Sequence, residues 1–284
     1  MKKTPVRRRT TSRKTTSKRK TSYGKISGFV FGLFCLLFIF GLGYHYRNGL
    51  AYYFGFKSDK VIDQAAAKRI SDVRNYNVLS DYADKVVGID VSQYQGAIDW
   101  NEVAVVENNF PIKFVFIRAT VGKNKVDNAF ETNWKASKKT FIRGAYHYYR
   151  PNENSLAQAE NFIKNVKLSK GDLPPVLDIE AMPKNQTIDS LKVGLKRWLE
   201  KVDAHYHVKP IIYTNEKFYE AFLKEEFSDY RFWIANYNFF VETMQDDWLF
   251  WQFTENATIP GIKGNVDLNI YNGTPKMLQY MTLN

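Results

Sequence analysis

The sequence predicts an α/β protein whose main domain is a closed, TIM-like barrel, preceded by a single transmembrane helix. Three observations predict the barrel. Eight short runs rich in β-branched and aromatic residues recur between positions 86 and 271. Several are apolar on both faces, as strands of a parallel sheet covered by helices are. Stretches of helical character separate the first strands, whereas after the sixth the gaps shrink and the helical pattern weakens. Eight strands in so short a span suggest a closed barrel whose last segments have lost their helices. An open doubly wound sheet is the alternative. No Gly-rich phosphate loop follows any strand, which argues against a nucleotide-binding fold.

The first element in the chain is a tail. Residues 1–25 carry eleven Lys or Arg and no Asp or Glu. With almost no apolar residue, this segment has the composition of a disordered one. The formal net charge of +12 invites a nucleic-acid reading, but the rest of the chain holds 30 basic against 29 acidic residues. The charge belongs to the tail, and no nucleic acid is expected as a partner.

Residues 26–46, "ISGFVFGLFCLLFIFGLGYHY", contain no Asp, Glu, Lys or Arg. A helix of about 20 apolar residues spans a bilayer, so the lipid bilayer is a predicted partner. The basic flank should keep the N-terminus cytoplasmic. Tyr44 and Tyr46 would sit at the far interface, and the chain from about residue 47 would lie outside the cytoplasm, in a periplasm or a wall zone. A cleaved signal peptide with "GLG" (41–43) as its exit is one rival. A lipid anchor on Cys35 is another, disfavoured by Phe34 before it. The tail could also bind anionic lipid, although orientation is its plainer use. Cys35 is the only cysteine, so there is no intramolecular disulfide framework.

Residues 47–85 read as a juxtamembrane stalk, with Val61, Ala65, Ile70 and Val73 at loosely helical spacing. The barrel domain is predicted over 86–284. Its strands are "VVGIDVS" (86–92), "KFVFIRAT" (113–120), "IRGAYHYY" (142–149), "PPVLDIE" (174–180), "KPIIYTN" (209–215), "RFWIANY" (231–237), "LFWQFT" (249–254) and "NVDLNIY" (265–271). Its helices are "WNEVAVVENN" (100–109), "DNAFETNWKASKK" (127–139), "NSLAQAENFIKNV" (154–166), "TIDSLKVGLKRWLEKVDAHY" (187–206) and "EKFYEAFLKEE" (216–226). Asn154–Ser155 stand where an N-cap is expected. There is no internal repeat.

Chemistry is concentrated at strand ends. On a strand, residues i and i+2 share a face, so Asp178 and Glu180 point one way and Ile179 the other. Asp90 ends "VVGID", and Asp267 lies in "NVDLNIY". The first and eighth strands of a closed barrel are neighbours. The four carboxylates can therefore converge at the C-terminal mouth, where barrel enzymes carry their active sites. Like-charge crowding raises at least one pKa. A carboxylic acid kept protonated near neutrality is what glycosidic cleavage needs.

Plainer readings stand beside this one. An Asp at a strand end is often a turn former or a cap, a reading that suits Asp90 better than the Asp178–Glu180 pair. Four carboxylates could also hold a hard cation. The absence of His near them disfavours zinc but not magnesium, and a magnesium-dependent enzyme is a further alternative to the expectation of no metal and no cofactor. Tyr94, Tyr148, Tyr213 and Trp251 lie near strand ends and are the predicted substrate-binding residues, because aromatic faces stack on sugar rings. Phe114, Phe116 and Phe232 read as core. His147 alternates with Tyr148 and reads as a buried, hydrogen-bonded histidine.

"GIDVSQYQGAIDW", "FVFIRAT", "GAYHYYRP", "PPVLDIE", "IIYTN", "FWIANY", "WQFT" and "GIKGNVDLNIYNG" follow in that order. Together, from about Val87 to Asn272, they resemble glycoside hydrolase family 25, the muramidases first known from fungal and phage lysozymes. The resemblance implies a barrel of (β/α)5(β)3 type. It implies cleavage of the β-1,4 bond between N-acetylmuramic acid and N-acetylglucosamine, with peptidoglycan glycan strands as partner. It makes Glu180 the general acid and Asp90, Asp178 and Asp267 supporting carboxylates. One departure is Val121, in "ATVG" where such proteins often read "ATEG". The missing acid would alter a subsite or a loop bond. A direct nucleophile would lie about 5 Å from the acid and an inverting base about 6.5–9.5 Å. The "D-x-E" spacing also resembles enzymes in which the substrate's acetamido group attacks, oriented by the first Asp. The resulting expectation is a membrane-anchored muramidase of cell-wall remodelling. A chitinase-like hydrolase and a non-catalytic wall-binding tether are the alternatives.

Overall fold

The computed structural model describes residues 23–45, 64–238, 243–245 and 247–284. The tail to residue 22, Tyr46 and the first part of the predicted stalk, with Val61, lie outside them. The chain divides into two units, Met1–Leu50 and Ala51–Asn284. The first holds helix α1, Tyr23–His45, which covers most of the predicted span. Its described side chains begin at Phe31, and Phe31, Phe34, Leu36, Phe38 and Phe40 are exposed. Among the described residues no helix is long and apolar enough to cross a membrane.

The second unit opens with α2, Gln64–Asp81, and continues into a closed barrel. Its strands are β1 (Val86–Val91), β2 (Phe110–Val121), β3 (Ile142–Tyr148), β4 (Val176–Asp178), β5 (Ile211–Asn215), β6 (Arg231–Ala235), β7 (Trp248–Ala257) and β8 (Val266–Tyr271). They pair in sequence order, and β1 closes the ring on β2 in parallel, with Asp90 beside Phe116. Only β8 runs against its neighbours, and it sets Asp267 opposite Asp90. All eight predicted strands are present. Two further short strands, Val105–Val106 and Lys125–Val126, pair with β2 alone.

Helices α3 (Phe130–Ser137), α4 (Ser155–Asn165) and α5 (Ile188–Tyr206) follow β2, β3 and β4. The Asn154 cap is the one the sequence indicates, and the structure adds one at Thr187. The Asn154 side chain accepts from the Ala157 N–H (3.0 Å), and Thr187 Oγ1 accepts from the Ser190 N–H (3.1 Å). After β5 the helix is short, one turn over Glu216–Phe218 and then a π-type turn to Leu223. Helix α6, Pro275–Tyr280, follows β8.

Two expectations need correction. Residues 100–109 form no helix. Glu107 and Asn108 take φ of 49° and 58°, a left-handed backbone that ends a helix, and Val105–Val106 join β2 as a strand. Nor does the stretch 64–81 stand off as a free stalk. Helix α2 lies against β7, burying Val78 and Leu79 in the same core as Trp251 and Phe253. Arg74, itself buried, donates to the backbone carbonyls of Phe253 and Asn238. The physical reason is exposure. Among the described residues the connections around β6 to β8 carry no helix, and α2 covers the outward aromatic face of β7 from upstream.

The barrel interior is a separate cluster built on Phe114, Phe116, Trp233 and Phe250. The Phe116 and Trp233 rings stack at 4.5 Å. Two glycines make room for these rings. A Cβ on Gly88 would stand 2.4 Å from Phe114, and one on Gly144 2.5 Å from Phe116. This packed floor raises the next inward residues of each strand to the mouth.

Candidate active site

At the mouth, the ends of the strands surround a cleft of about 270 Å³ lined by Asp90, Asp178, Glu180 and Asp267. The four carboxylates singled out in the sequence are thus brought together. Asp90 sits at the end of β1, buried. Its Oδ2 accepts from Gln252 Nε2 (2.7 Å) and Asn269 Nδ2 (2.8 Å). Each amide is held in turn. Tyr213 Oη (2.7 Å) and Tyr237 Oη donate to Gln252 Oε1, and Trp233 Nε1 donates to Asn269 Oδ1 (2.8 Å). Such chains polarise one another.

The electrostatics follow from burial. Burial raises the Asp90 pKa even against its two amide donors. Asp267 is raised further, by burial first and then by the charge on Asp90, to which it is hydrogen-bonded. Both shifts favour a proton on this pair, and on Asp267 more than on Asp90.

Asp178 and Glu180 differ in exposure. Asp178 closes β4 and is 4% exposed. Burial, then the charge of Glu180, pushes its pKa well above the ordinary carboxylate value, against the opposing pull of Arg118. Its Oδ1 is buried and has no hydrogen-bond partner. Glu180, two residues on, is open to solvent. Its pKa is raised by the surrounding protein, lowered by its hydrogen bond with Asp178 and raised again by Glu255. Both shifts favour the protonated acid, and Glu180 is the member that solvent reaches.

Of the predicted aromatics, Tyr94, Tyr148 and Tyr213 line the cleft. Tyr94 is 78% exposed, with the Arg118 guanidinium 4.6 Å from its ring centre. Tyr213 is buried, and its hydroxyl is used to hold Gln252. Trp251 is not in the cleft, which corrects the sequence expectation. It is fully buried outside the barrel wall, edge-on to Tyr82 at 5.9 Å, and its Nε1 donates to the Asn236 carbonyl (3.1 Å). Alternation explains this: on β7, Phe250 and Gln252 face in, so Trp251 and Phe253 face out.

Several cleft residues were not among the predicted catalytic or binding residues: Arg118, Gln252 and Glu255, and the strand-end aromatics Tyr146, Trp233 and Tyr237. A signal existed for two of them. Arg118 is two residues beyond Phe116 and Gln252 two beyond Phe250, so each is the polar residue that follows an inward aromatic. Arg118 Nε donates to Asp127 Oδ2 (2.7 Å), which also accepts the Gln93 N–H (3.0 Å) and so ties the Tyr94 turn to β2. His147 is the buried, satisfied residue the sequence indicates. It lies between Thr120 Oγ1 (2.7 Å) and Gln158 Oε1 (3.2 Å), stacked on Trp198, and burial lowers its pKa to about 4.

Known proteins resemble this chain in sequence and in fold. The family model of glycosyl hydrolases family 25 matches residues 89–262. The chain is 37% identical over 212 residues to YegX of Escherichia coli K12, covering 73% of this chain and 77% of that one. It is 32% identical over 209 residues to lysozyme M1 of Streptomyces globisporus, covering 68% and 70%. The solved structure of a family 25 glycosyl hydrolase from Bacillus anthracis superposes with a TM-score of 0.63 at 29% identity, covering 71% of this chain and 95% of that one. With the family model matched over well over half of its length, and with an acid-lined barrel mouth, the chain belongs to glycosyl hydrolase family 25.

Proposed function

We propose that the protein is an N-acetylmuramidase that hydrolyses the β-1,4 bond between N-acetylmuramic acid and N-acetylglucosamine in peptidoglycan. The observation that carries this reading is the Asp178–Glu180 pair, one acid buried with a free acceptor and the other open to the cleft. Glu180 donates its proton to the leaving glycosidic oxygen. Asp178 Oδ1 accepts the N–H of the substrate's 2-acetamido group, and that group's carbonyl oxygen attacks the anomeric carbon as the bond breaks. Glu180, now ionised, takes a proton from the water that opens the cyclic intermediate. The negative charge shared by Asp90 and Asp267 favours the positive charge that develops on the sugar ring. The kinship with lysozyme M1 supports the same substrate.

The test uses the full-length protein in detergent on isolated peptidoglycan, wild type against Glu180→Gln. Muramic-acid reducing ends from the wild type alone are expected. Glucosamine reducing ends would overturn the bond assignment, and faster cleavage of chitin oligomers would favour a chitinase-like enzyme. Binding without cleavage by either protein would mean a tether. Proton NMR of the first product anomers should show retention, and inversion would remove the acetamido step.

The anchor belongs to this proposal too. Residues 26–46 carry no charge over their whole length, and α1 exposes its described apolar side chains. We read them as a single-pass anchor in the cytoplasmic membrane, with the tail cytoplasmic and the barrel outside, for remodelling of nearby wall. Protease added to intact spheroplasts should digest the barrel and spare the tail; the reverse pattern would invert the topology.

A further inference from the structure

Beside the catalytic cleft lies a second cavity, of about 400 Å³, which shares Tyr94, Arg118 and Tyr148 with it. Resting on the muramidase reading above, we propose that this cavity binds a carboxylate carried by the glycan next to the scissile bond.

The cavity has a rigid wall. Strand β2 runs past the barrel rim to Val121, turns through Gly122 and returns as Lys125–Val126, with Val121 paired to Lys125. The turn is pinned on both sides. The Gly122 N–H donates to the Tyr148 carbonyl (3.0 Å), and the Lys123 N–H to Glu153 Oε2 (2.7 Å). Asn161 Nδ2 donates to the carbonyls of Gly122 (2.8 Å) and Lys125 (3.0 Å). Gly122 has φ of 57°, and a Cβ there would stand 2.5 Å from Glu153. A tip held this way has its backbone ordered before binding, which lowers the ordering cost to that of the side chains.

The charge of the second cavity is opposite to that of the first. The catalytic cleft is lined by five acids and one cation, Arg118. The second cavity is lined by Arg118, Lys125 and Arg150 against one acid, Asp127. Asp127 is already engaged by Arg118, by the Gln93 N–H and by the Ala129 N–H. Arg150 reaches Glu153 through Nη1 alone (3.2 Å). Lys125 is exposed and, among the described residues, makes no ion pair. Val121 and Val126 add an apolar surface, and Tyr94 and Tyr148 add ring faces. A free ammonium beside apolar walls fits a carboxylate on a short aliphatic or peptide arm. Muramic acid carries such an arm, a lactyl ether that ends in a carboxylate or continues into an acidic peptide.

Val121 decides whether Lys125 stays free. Directly opposed side chains in an antiparallel ladder lie about 5 Å apart, so Val121→Glu would place a carboxylate within reach of the ammonium. That substitution should act like Lys125→Gln, whereas Lys125→Arg should keep the function.

The experiment measures kcat and KM of these full-length variants on three soluble glycan strands: peptide-bearing, amidase-stripped with the lactyl carboxylate free, and stripped with that carboxylate methyl-esterified. Lys125→Gln and Val121→Glu should raise KM about three-fold on carboxylate-bearing strands, with kcat unchanged. They should leave the esterified strand unaffected. An effect confined to peptide-bearing strands would assign the carboxylate to the peptide, and one that persists after stripping would assign it to the lactyl group. Equal KM for wild type and variants on all strands, or an equal loss on the esterified strand, overturns the proposal. Should the wild type cleave none of them, the muramidase reading falls by itself. NMR titration with N-acetylmuramic acid against N-acetylglucosamine then decides: selective binding lost in Lys125→Gln keeps the carboxylate site, and equal binding removes it.

Discussion

On β1 the inward residue Gly88 is followed by Asp90, and on β2 Phe116 is followed by Arg118. On β4 Val176 gives way to Asp178, and on β7 Phe250 to Gln252. One inward step along the same strands separates a packed aromatic floor from a crowded set of charges. In the floor, every ring has neighbours at contact distance, and the glycines are placed where any side chain would collide. At the mouth, five carboxylates share one cleft, burial raises the pKa values of Asp90, Asp178, Glu180 and Asp267, and one buried oxygen has no partner. The floor contributes stability and no chemistry, whereas the mouth lowers stability in order to hold protons where a sugar would lie.

Substitutions at the two levels should therefore separate activity from stability. The largest effect belongs to Glu180→Gln. On the proposed mechanism, loss of this acid should lower kcat by about 10²–10⁴-fold while leaving Tm within about a degree, because the side chain is open to solvent. A large fall in Tm would mean that Glu180 is structural and would erase the contrast.

Trp251→Ala is next, and it sharpens the correction made to the sequence reading. An indole lost from between β7 and α2 should cost about 3–5 kcal/mol in urea unfolding. KM of the folded enzyme should not change. A raised KM with little loss of stability would return Trp251 to the cleft. Gly144→Ala probes the floor itself. Its Cβ would meet the Phe116 ring at 2.5 Å, and overpacking of this kind costs about 1–3 kcal/mol. Denaturant midpoints of purified protein would show it, and an unchanged midpoint would mean that the floor is loosely packed.

The two levels also differ in how far the sequence revealed them. All eight strands were legible, because β-branched and aromatic runs carry a period and a length. The acids were legible because a carboxylate at the edge of an apolar strand has few structural uses. Trp251 misled because an aromatic at a strand end is equally suited to either face of the wall, and only the register of β7 decides between them. Residues 100–109 misled because Val103, Val105 and Val106 fit a helical spacing, while the left-handed Glu107 and Asn108 left no mark in composition. The cover given by α2 was invisible for a different reason. It depends on which face of a distant strand lacks a helix, and that is known only once the barrel is closed. A protein begun at residue 86 would leave the outer face of β7 bare.

The smallest effect tests the protonation of Asp178 by stability alone. Its folded pKa is raised, by burial first and by the charge of Glu180 second, well above the ordinary 3.8 that the unfolded chain retains. A carboxyl raised on folding binds more protons in the native than in the unfolded state. Its contribution is therefore fully present below pH 3.8 and is lost as pH rises through the folded value, with a slope of at most about 1.4 kcal/mol per pH unit. His147 has the opposite sign. Lowered from 6.5 to about 4, it contributes stability above pH 6.5 that is lost as pH falls through 4. It is present in both proteins and cancels when Asp178→Asn is compared with the wild type. The variant should gain on the wild type in urea midpoint as pH rises above about 4, and its kcat should fall at every pH. Parallel stability curves would mean that Asp178 is ionised in the folded enzyme, and the proton of the Asp178–Glu180 pair would then sit on Glu180.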